Sequence, residues 1–313
     1  MRAGSTVTSP QVGATIEVPV VGAGGEPVDL WRTIVSHGVA SLPPAEVDED
    51  ARTMAITLPV DKGARTVRIS EGGARRAKLE LLGRAGPRQV ERLTEAVRHV
   101  LRLDEDLSAF YELAANDPEL AWVATGAGRM VRSATVFEEV VKTVCTTNCT
   151  WSATERMVGA LVAHLGVAAP TAPAEGPAGR AFPTPEAMAE APEAWYRDVA
   201  RAGYRGAYLR MLAADVASGE LDLEELNADD VPDDEVERRL LALPGVGPYA
   251  AAHVMTLIGR YSRLILDSWT RPKYAKLNGG EPAPDADIVA RFAPYERYAG
   301  LAFWLYLTRD WVP

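Results

Sequence analysis

The chain has little of several things, and each shortage excludes something. Only two cysteines, Cys145 and Cys149, occur in 313 residues. They are too few for a cysteine-held zinc or iron–sulfur centre, so no metal site is expected and the thiols read as reduced, in the cytoplasm. No apolar run approaches the length that spans a membrane, and the N-terminus carries no signal-peptide pattern. Positive charge is in deficit: 33 Lys and Arg stand against 43 Asp and Glu, a net charge of −10. That argues against wholesale electrostatic attraction to nucleic acid but leaves room for a local positive face. A nucleic-acid partner would have few phosphates neutralised and only modest salt sensitivity.

What is present is ordinary for a globular protein, with 47% apolar and 24% charged residues. The length allows two or three subdomains around sizeable cores. Residues 1–27, rich in Gly, Val, Thr and Pro, read as a tail or an added edge strand. DLWRTIV, from Asp29, fits a short helix or a strand. ARTMAITLPV and ARTVRIS alternate apolar and polar residues as half-buried strands do, with Asp61, Lys62 and Gly63 supplying the turn and KLELLG a further strand. Residues 87–101 form an amphipathic helix through Val90, Leu93, Val97, Val100 and Leu101. Residues 28–106 thus make an antiparallel sheet with a helix, and the fold class is α+β. From about residue 107 to 313 the spacing is helical: 110–115, 136–145, 152–165, 185–202, 207–218 and an aromatic C-terminal helix over 295–308. The Ala/Pro/Gly-rich stretch 167–183 reads as a loop between two halves of this helical body.

One stretch organises the rest: LPGVGPYAAAHVMTLIGRYSRLILD, residues 243–267. A helix over 233–241 is stopped by Pro244 and Gly245. Gly245 and Gly247 allow positive φ and leave the backbone bare around Val246. Pro248 suits the first turn of a second helix, 249–257, whose free N–H groups face the loop. A bare loop feeding a helix N-terminus is an anion site. Gly245, Gly247 and Ala250 also fit the dinucleotide pattern, with Asp267 at roughly the distance of a ribose-binding acid, but that pattern needs a strand before it and here a helix precedes. A nucleic-acid phosphate is the other anion, and a plain interhelical turn the unliganded alternative. Tyr249 and His253 lie one turn apart on one helical face.

LPGVGPYAA followed by Asp267 resembles the signature of the helix-hairpin-helix (HhH-GPD) DNA glycosylases. The likeness continues in order through DLWRTIVSHG, LRLDEDLSAFY, TTNCTWSATERMVGAL, FPTPEAMA, AGYRGAYL and PYERYAGLAFWLY, over nearly the whole chain. It falls between the 3-methyladenine DNA glycosylase II type and the 8-oxoguanine type. The resemblance implies a TATA-binding-protein-like sheet domain beside a two-part helical body, a monomer acting on double-stranded DNA, and Asp267 as the catalytic carboxylate. It places Asn148, Tyr204 and Arg205 where relatives fill the gap left by an everted base, wedge the duplex and contact the orphaned base. Gly245, Val246 and Gly247 would grip the strand, with a structural Na⁺ or K⁺ on their carbonyls conceivable and no other cofactor implied. Tyr249 stands where bifunctional members carry the Schiff-base lysine, which implies a monofunctional enzyme. The pocket would take Tyr249, His253, Trp269, Phe303 and Leu307, with Trp304 and Tyr306 adding aromatics and His37 and Gly38 loosely at its N-terminal edge. Phe303 and Leu307 replace a glutamine and a phenylalanine of 8-oxoguanine enzymes, which turns the expected substrate toward an alkylated purine. An oxidised purine and a lesion sensor without activity are the alternatives.

Overall fold

The computed structural model describes residues 12–61 and 63–312. Residues 1–11, within the tail read from the sequence, and Lys62, within the expected turn, lie outside the described residues. Strand β1 (Val12–Pro19) is followed by helix α1 (Leu30–Ile34), β2 (Ala45–Asp48), β3 (Thr53–Val60), β4 (Gly63–Glu71), β5 (Arg76–Leu82) and α2 (Pro87–Val100). The strands form one antiparallel sheet in the order β1-β5-β4-β3-β2. Strand β1 is one edge strand and β2 the other, and LWRTI is a helix, capped by Asp29 accepting from the Arg32 amide at 2.9 Å. The alternation in β3 and β4 puts Met54, Ile56, Leu58, Val67 and Ile69 on the buried face, under Leu93, Val97 and Val100 of α2. Asp61, at the β3–β4 turn, is ion-paired to Arg92 of α2 at the surface, while the buried Leu93, Val97 and Val100 seat that helix on the sheet.

The helical body runs α3 (Ser108–Ala114), α4 (Val136–Thr146), α5 (Trp151–Leu165), α6 (Pro185–Glu190), α7 (Glu193–Asp198), α8 (Arg205–Ser218), α9 (Asp233–Leu241), α10 (Pro248–Leu257), α11 (Thr270–Leu277), α12 (Asp285–Phe292) and α13 (Ala299–Thr308). The single helix expected over 185–202 is two, because Pro192 has no N–H to give and starts α7 instead. The C-terminal helix begins later than its apolar spacing indicates. Residues 293–298 form a 3₁₀ turn in which Glu296 takes φ +52°, and α13 starts at Ala299. The short strand β2 and the helix α11 carry too little periodicity to be read, and α12, though its Ile288 and Phe292 share a buried face, is only eight residues long.

Two packed cores divide the body, and the division is not where the loop composition put it. One core gathers α4 to α10, from Val136 to Ile258, with Val39 and Leu42 of the N-terminal segment packed into it. The other joins Leu107, Phe110 and Val123 to Tyr261, Phe292 and the whole of α13. The second core is therefore discontinuous in sequence, and residues 167–183 do not separate the halves. That stretch instead returns to the sheet, with Ala169 and Ala181 packed on Ala64 of β4. Helix α10 belongs to both: Ala250 and Val254 pack into the first core, Ala252 into the second, and Tyr249 touches each. The junction with the sheet is tied by two buried arginines. Arg102 donates to Met130 O (2.8 Å) and to Leu257 O at the C-terminus of α10, while Arg129 pairs with Glu26. Both guanidiniums are fully buried, yet each is met by carbonyls or a carboxylate, as a buried charge must be.

Candidate active site

The hairpin follows from two different glycines. Gly245 takes φ +80°, and a Cβ there would sit 2.8 Å from the Tyr208 ring, so both conformation and space require glycine. Gly247 does not use positive φ, contrary to expectation; its φ is −103°, and a Cβ would meet nothing within 4 Å. The position is therefore open on its outer side. Val246 is buried and its amide donates to Leu243 O at 3.2 Å, so this N–H is not free for an anion. The open donors are those of the first turn of α10, where Pro248 supplies the first helical residue. Helix α9 precedes the hairpin, so the strand that a dinucleotide site needs is not there.

Behind the hairpin, α4 ends in the loop 147–150. Asn148 sits there with φ +47°, a conformation Asn tolerates better than most residues. Its amide donates to the Tyr204 hydroxyl at 3.3 Å. Tyr204 is half exposed, and the Arg205 guanidinium lies 4.6 Å from its ring centroid. Arg205 is anchored in turn, donating to Thr147 O and Thr147 Oγ1. Tyr204 also meets Tyr208, the ring that Gly245 packs against, with centroids 5.9 Å apart. The three residues assigned to the duplex thus form one connected group, continuous with the hairpin.

On the other side of α10, the Tyr249 hydroxyl is 3.3 Å from Thr146 Oγ1. Burial pushes that hydroxyl above its usual pKa, so the group stays a neutral phenol. The Tyr249 ring stands edge-on to His253, centroids 5.6 Å apart. His253 is buried with neither ring nitrogen hydrogen-bonded, and burial lowers its pKa to about 4, with Asp267 pulling weakly the other way. Asp267 is half-buried beyond Ile265. Its Oδ1 accepts the amides of Trp269 (2.8 Å) and Thr270 (2.7 Å), and its own amide donates to Thr270 Oγ1 (2.8 Å). The side chain therefore caps the turn that leads into α11, and its Oδ2 takes no hydrogen bond among the described residues. Capping and chemistry are compatible, since the cap fixes the carboxylate and leaves one oxygen open.

The remaining pocket assignments divide. Trp269 is 41% exposed beside Asp267, with Trp304 and Trp311 against it at 5.7 and 5.8 Å. Phe303 is fully buried, packed between Tyr274 and Phe292, and Leu307 is closed to solvent in the same core. The structure gives both to packing, because α13 is apolar all round and sunk in the second core. Tyr306 is likewise buried, its hydroxyl on Asn278 at 3.2 Å. Trp304 lies nearer the cleft and donates from Nε1 to Ser36 O at 2.8 Å, tying α13 to the segment that holds His37. Trp311, half exposed beyond the last helix, was not picked out by sequence reasoning, and neither were Trp31 and Glu49; no local pattern marks them.

No protein-family model and no curated protein sequence matches the chain. Solved structures do. A 3-methyladenine DNA-glycosylase from Archaeoglobus fulgidus superposes with a TM-score of 0.70 at 20% identity, covering 95% of this chain and 99% of that one. The 8-oxoguanine glycosylase/lyase of Clostridium acetobutylicum does so in its apo form with a TM-score of 0.72 at 18% identity, covering 95% and 98%. The same enzyme in complex with double-stranded DNA containing cytosine opposite 8-oxoG gives 0.68 at 18% identity, covering 96% and 98%. From sheet to C-terminal helix, this chain has the fold of the helix-hairpin-helix DNA glycosylases.

Proposed function

We propose that the chain is a monofunctional DNA glycosylase that everts a damaged purine, of the alkylated class, and hydrolyses its N-glycosidic bond. One observation carries this reading: Asp267 presents a fixed carboxylate with one open oxygen near enough to Tyr249 and His253 to act on both, and the Tyr249 hydroxyl reaches Thr146, beside the loop that holds Asn148 and anchors Arg205. Shared fold with glycosylases supports it. Eversion costs a few kcal/mol. Tyr204, half exposed and braced by Arg205 and Tyr208, is able to stack in the vacated space, and Asn148 and Arg205 carry donors for the base left behind. The first turn of α10 and the bare Gly247 accept a phosphate of the same strand.

In the bond-breaking step, the C1′–N electron pair leaves with the base and positive charge develops on the sugar. The Asp267 carboxylate stabilises that charge, and its two amide hydrogen bonds hold it in place without reorganisation. A water oxygen then bonds to C1′ and gives its proton to the open Oδ2 of Asp267, which passes it to solvent, leaving an abasic site. Tyr249 is a buried neutral phenol and supplies no amine, so no Schiff base forms on it. An alkylated purine leaves as a neutral base, which suits a pocket whose histidine, His253, is held uncharged and donates no full proton.

The test is release of free base from duplexes carrying single alkylated or oxidised purines, followed by alkaline cleavage at the abasic site. Borohydride should trap no covalent adduct. DNA binding with no release from any lesion would leave only the sensor reading. Release of oxidised purines in preference to alkylated ones would overturn the substrate class.

A further inference from the structure

The C-terminus of α10 is closed by a residue from outside the helical body. Gly259 turns the chain just past the helix at φ +91°, its amide on Thr256 O at 3.2 Å and the Arg260 amide on Met255 O at 2.7 Å. That turn leaves the Leu257 carbonyl without a helical partner, and Arg102, in the turn after α2, donates to it. Arg102 itself takes φ +55° and is 1% exposed, and a Cβ on Gly259 would lie 2.6 Å from its guanidinium. Two left-handed positions from distant parts of the chain thus close on each other. A left-handed arginine and a buried charge both cost stability, and an apolar side chain of similar volume often fills such a place as well. The arrangement specifies a geometry that packing alone does not require.

The segment that Arg102 seats is the one that carries the carboxylate. From Gly259 the chain turns back along α10: Ile265 packs in the same core as Ala252 and Tyr249, and Asp267 acts on Tyr249 and His253, in the first two turns of the helix. Anchors on both sides hold this return. Arg260 donates to Val231 O at 2.8 Å, ahead of α9, and Arg263 to Glu237 of α9 at 2.7 Å. Gly300 of α13 donates to Tyr261 O at 2.6 Å. Arg102 adds the sheet domain. Its Nε donates to Met130 O at 2.8 Å, and its Nη1 pairs at 3.5 Å with Glu105, which accepts the Tyr261 hydroxyl at 3.0 Å. The guanidinium thus sits at the pivot from which the return starts. At about 1.5 Å per residue, Tyr249 lies about 12 Å from Leu257 along the axis, so a tilt of about ten degrees at the pivot moves a group beside Tyr249 by about 2 Å. A misplacement of about 1 Å is enough to cost on the order of 10²-fold in rate.

We propose that Arg102 is a positioning residue for base release: its guanidinium, seated over Gly259, fixes the reversal at the C-terminus of α10 and so holds the Asp267 carboxylate in register with the first turns of that helix. This rests on the reading of the chain as a glycosylase. The sheet domain thereby takes part in the chemistry without touching the substrate, through Arg102 and the Glu105–Tyr261 pair beside it.

The experiment compares the full chain as wild type, Arg102→Lys and Tyr261→Phe, each assayed well below its melting temperature. Lysine keeps the charge but loses the planar fork that reaches Leu257 O and Met130 O together. Tyr261→Phe removes only the hydroxyl that Glu105 accepts, so it tests the same pivot should Arg102→Lys fail to fold. Single-turnover base release from a duplex carrying one alkylated purine should slow by about tenfold to a hundredfold in Arg102→Lys and about threefold in Tyr261→Phe. Affinity for a duplex holding an uncleavable abasic analogue should stay within about twofold, since no DNA contact is removed. Amide exchange gives a readout independent of activity: the Trp269 and Thr270 amides, which Asp267 holds, should exchange faster in Arg102→Lys, or in Tyr261→Phe if only that variant folds, while those of α4 do not change. Wild-type release that the folded variants match overturns the positioning role and leaves the function standing, as does a loss of affinity equal to the loss of release. No release by the wild type from any lesion overturns the function, and unchanged exchange at Trp269 and Thr270 then overturns the positioning of Asp267 as well.

Discussion

The two walls of the cleft are built differently. The wall of the hairpin and wedge comes from the first core, and its polar groups are committed: Asn148 to Tyr204, Arg205 to Thr147, Val246 to Leu243. The other wall takes His253 from α10 itself, Asp267 from the turn before α11 and His37 from the sheet domain, and its groups are open: both nitrogens of His253, Nδ1 of His37 and Oδ2 of Asp267 have no protein partner among the described residues. A surface that grips a phosphate backbone works with a fixed shape, because every duplex offers the same one. A surface that must tell one base from another needs hydrogen-bonding capacity left unspent until the base arrives, since a wrong base then leaves buried groups unpaired.

The largest effect should come from the open wall. Asp267→Asn is expected to cut base release by on the order of 10³-fold or more while lesion-duplex affinity changes by only about twofold or threefold. Because the amide keeps an oxygen for the Trp269 and Thr270 amides, α11 should stay capped. Near-normal turnover in that variant would remove the mechanism and with it the contrast between the walls.

The committed wall should respond in binding. Tyr204→Ala is expected to weaken affinity for lesion and abasic duplexes by about 1–3 kcal/mol, measured by titration, with the melting temperature little changed because the ring is half exposed. The hairpin glycines sharpen the contrast within that wall. Gly245→Ala combines a positive φ with a 2.8 Å approach to Tyr208 and should cost about 1–3 kcal/mol of stability in denaturant unfolding. Gly247→Ala meets no protein atom and should leave stability within about 0.5 kcal/mol while weakening DNA binding. Equal behaviour of the two variants would mean that the hairpin is only a turn.

Acid should act on the open wall first. Burial lowers His253 from 6.5 to about 4 and His37 from 6.5 to about 3. The unfolded chain binds protons that the folded one refuses, so this stability is fully present above pH 6.5 and is lost as pH falls toward 4 and 3. His99, lowered to about 4, adds to it. Glu139, which burial raises to about 7, acts the other way, gaining stability as pH falls from 7 to 4.5. Three groups oppose one, so urea unfolding should show lower stability at pH 5 than at pH 7.5, by an amount on the order of a few kcal/mol. Amide exchange should rise around His37 and α10 before it rises around Tyr204, which has no histidine in contact. Uniform exchange, or greater stability at pH 5, would contradict the assignment.

Much of this was legible beforehand. The alternation in β3 and β4, the amphipathic α2 and the bounds of α9 follow from local periodicity, and the hairpin from Pro and Gly placement. The connection of Asn148, Tyr204 and Arg205 is a matter of resemblance that the geometry brings into one group. Phe303 and Leu307 were not legible, because an apolar helix buried on all sides has no periodic face to tell which residues meet a cavity and which meet a core. Nor was the discontinuous second core, which joins residues near 110 to residues near 300.

The amino-acid order by itself determined β3, β4, α2, α9 and α10, the bare loop and the acid that follows it, since each depends on neighbours within a few residues. Tertiary structure decided which side chains share the cleft, which glycine is needed for the fold and which is left bare, and that Trp31, His37, Glu49 and Trp311 meet around one cavity. Those outcomes depend on close packing between segments far apart in the chain, where a fraction of an ångström separates a core residue from an exposed one and no local pattern carries the distinction.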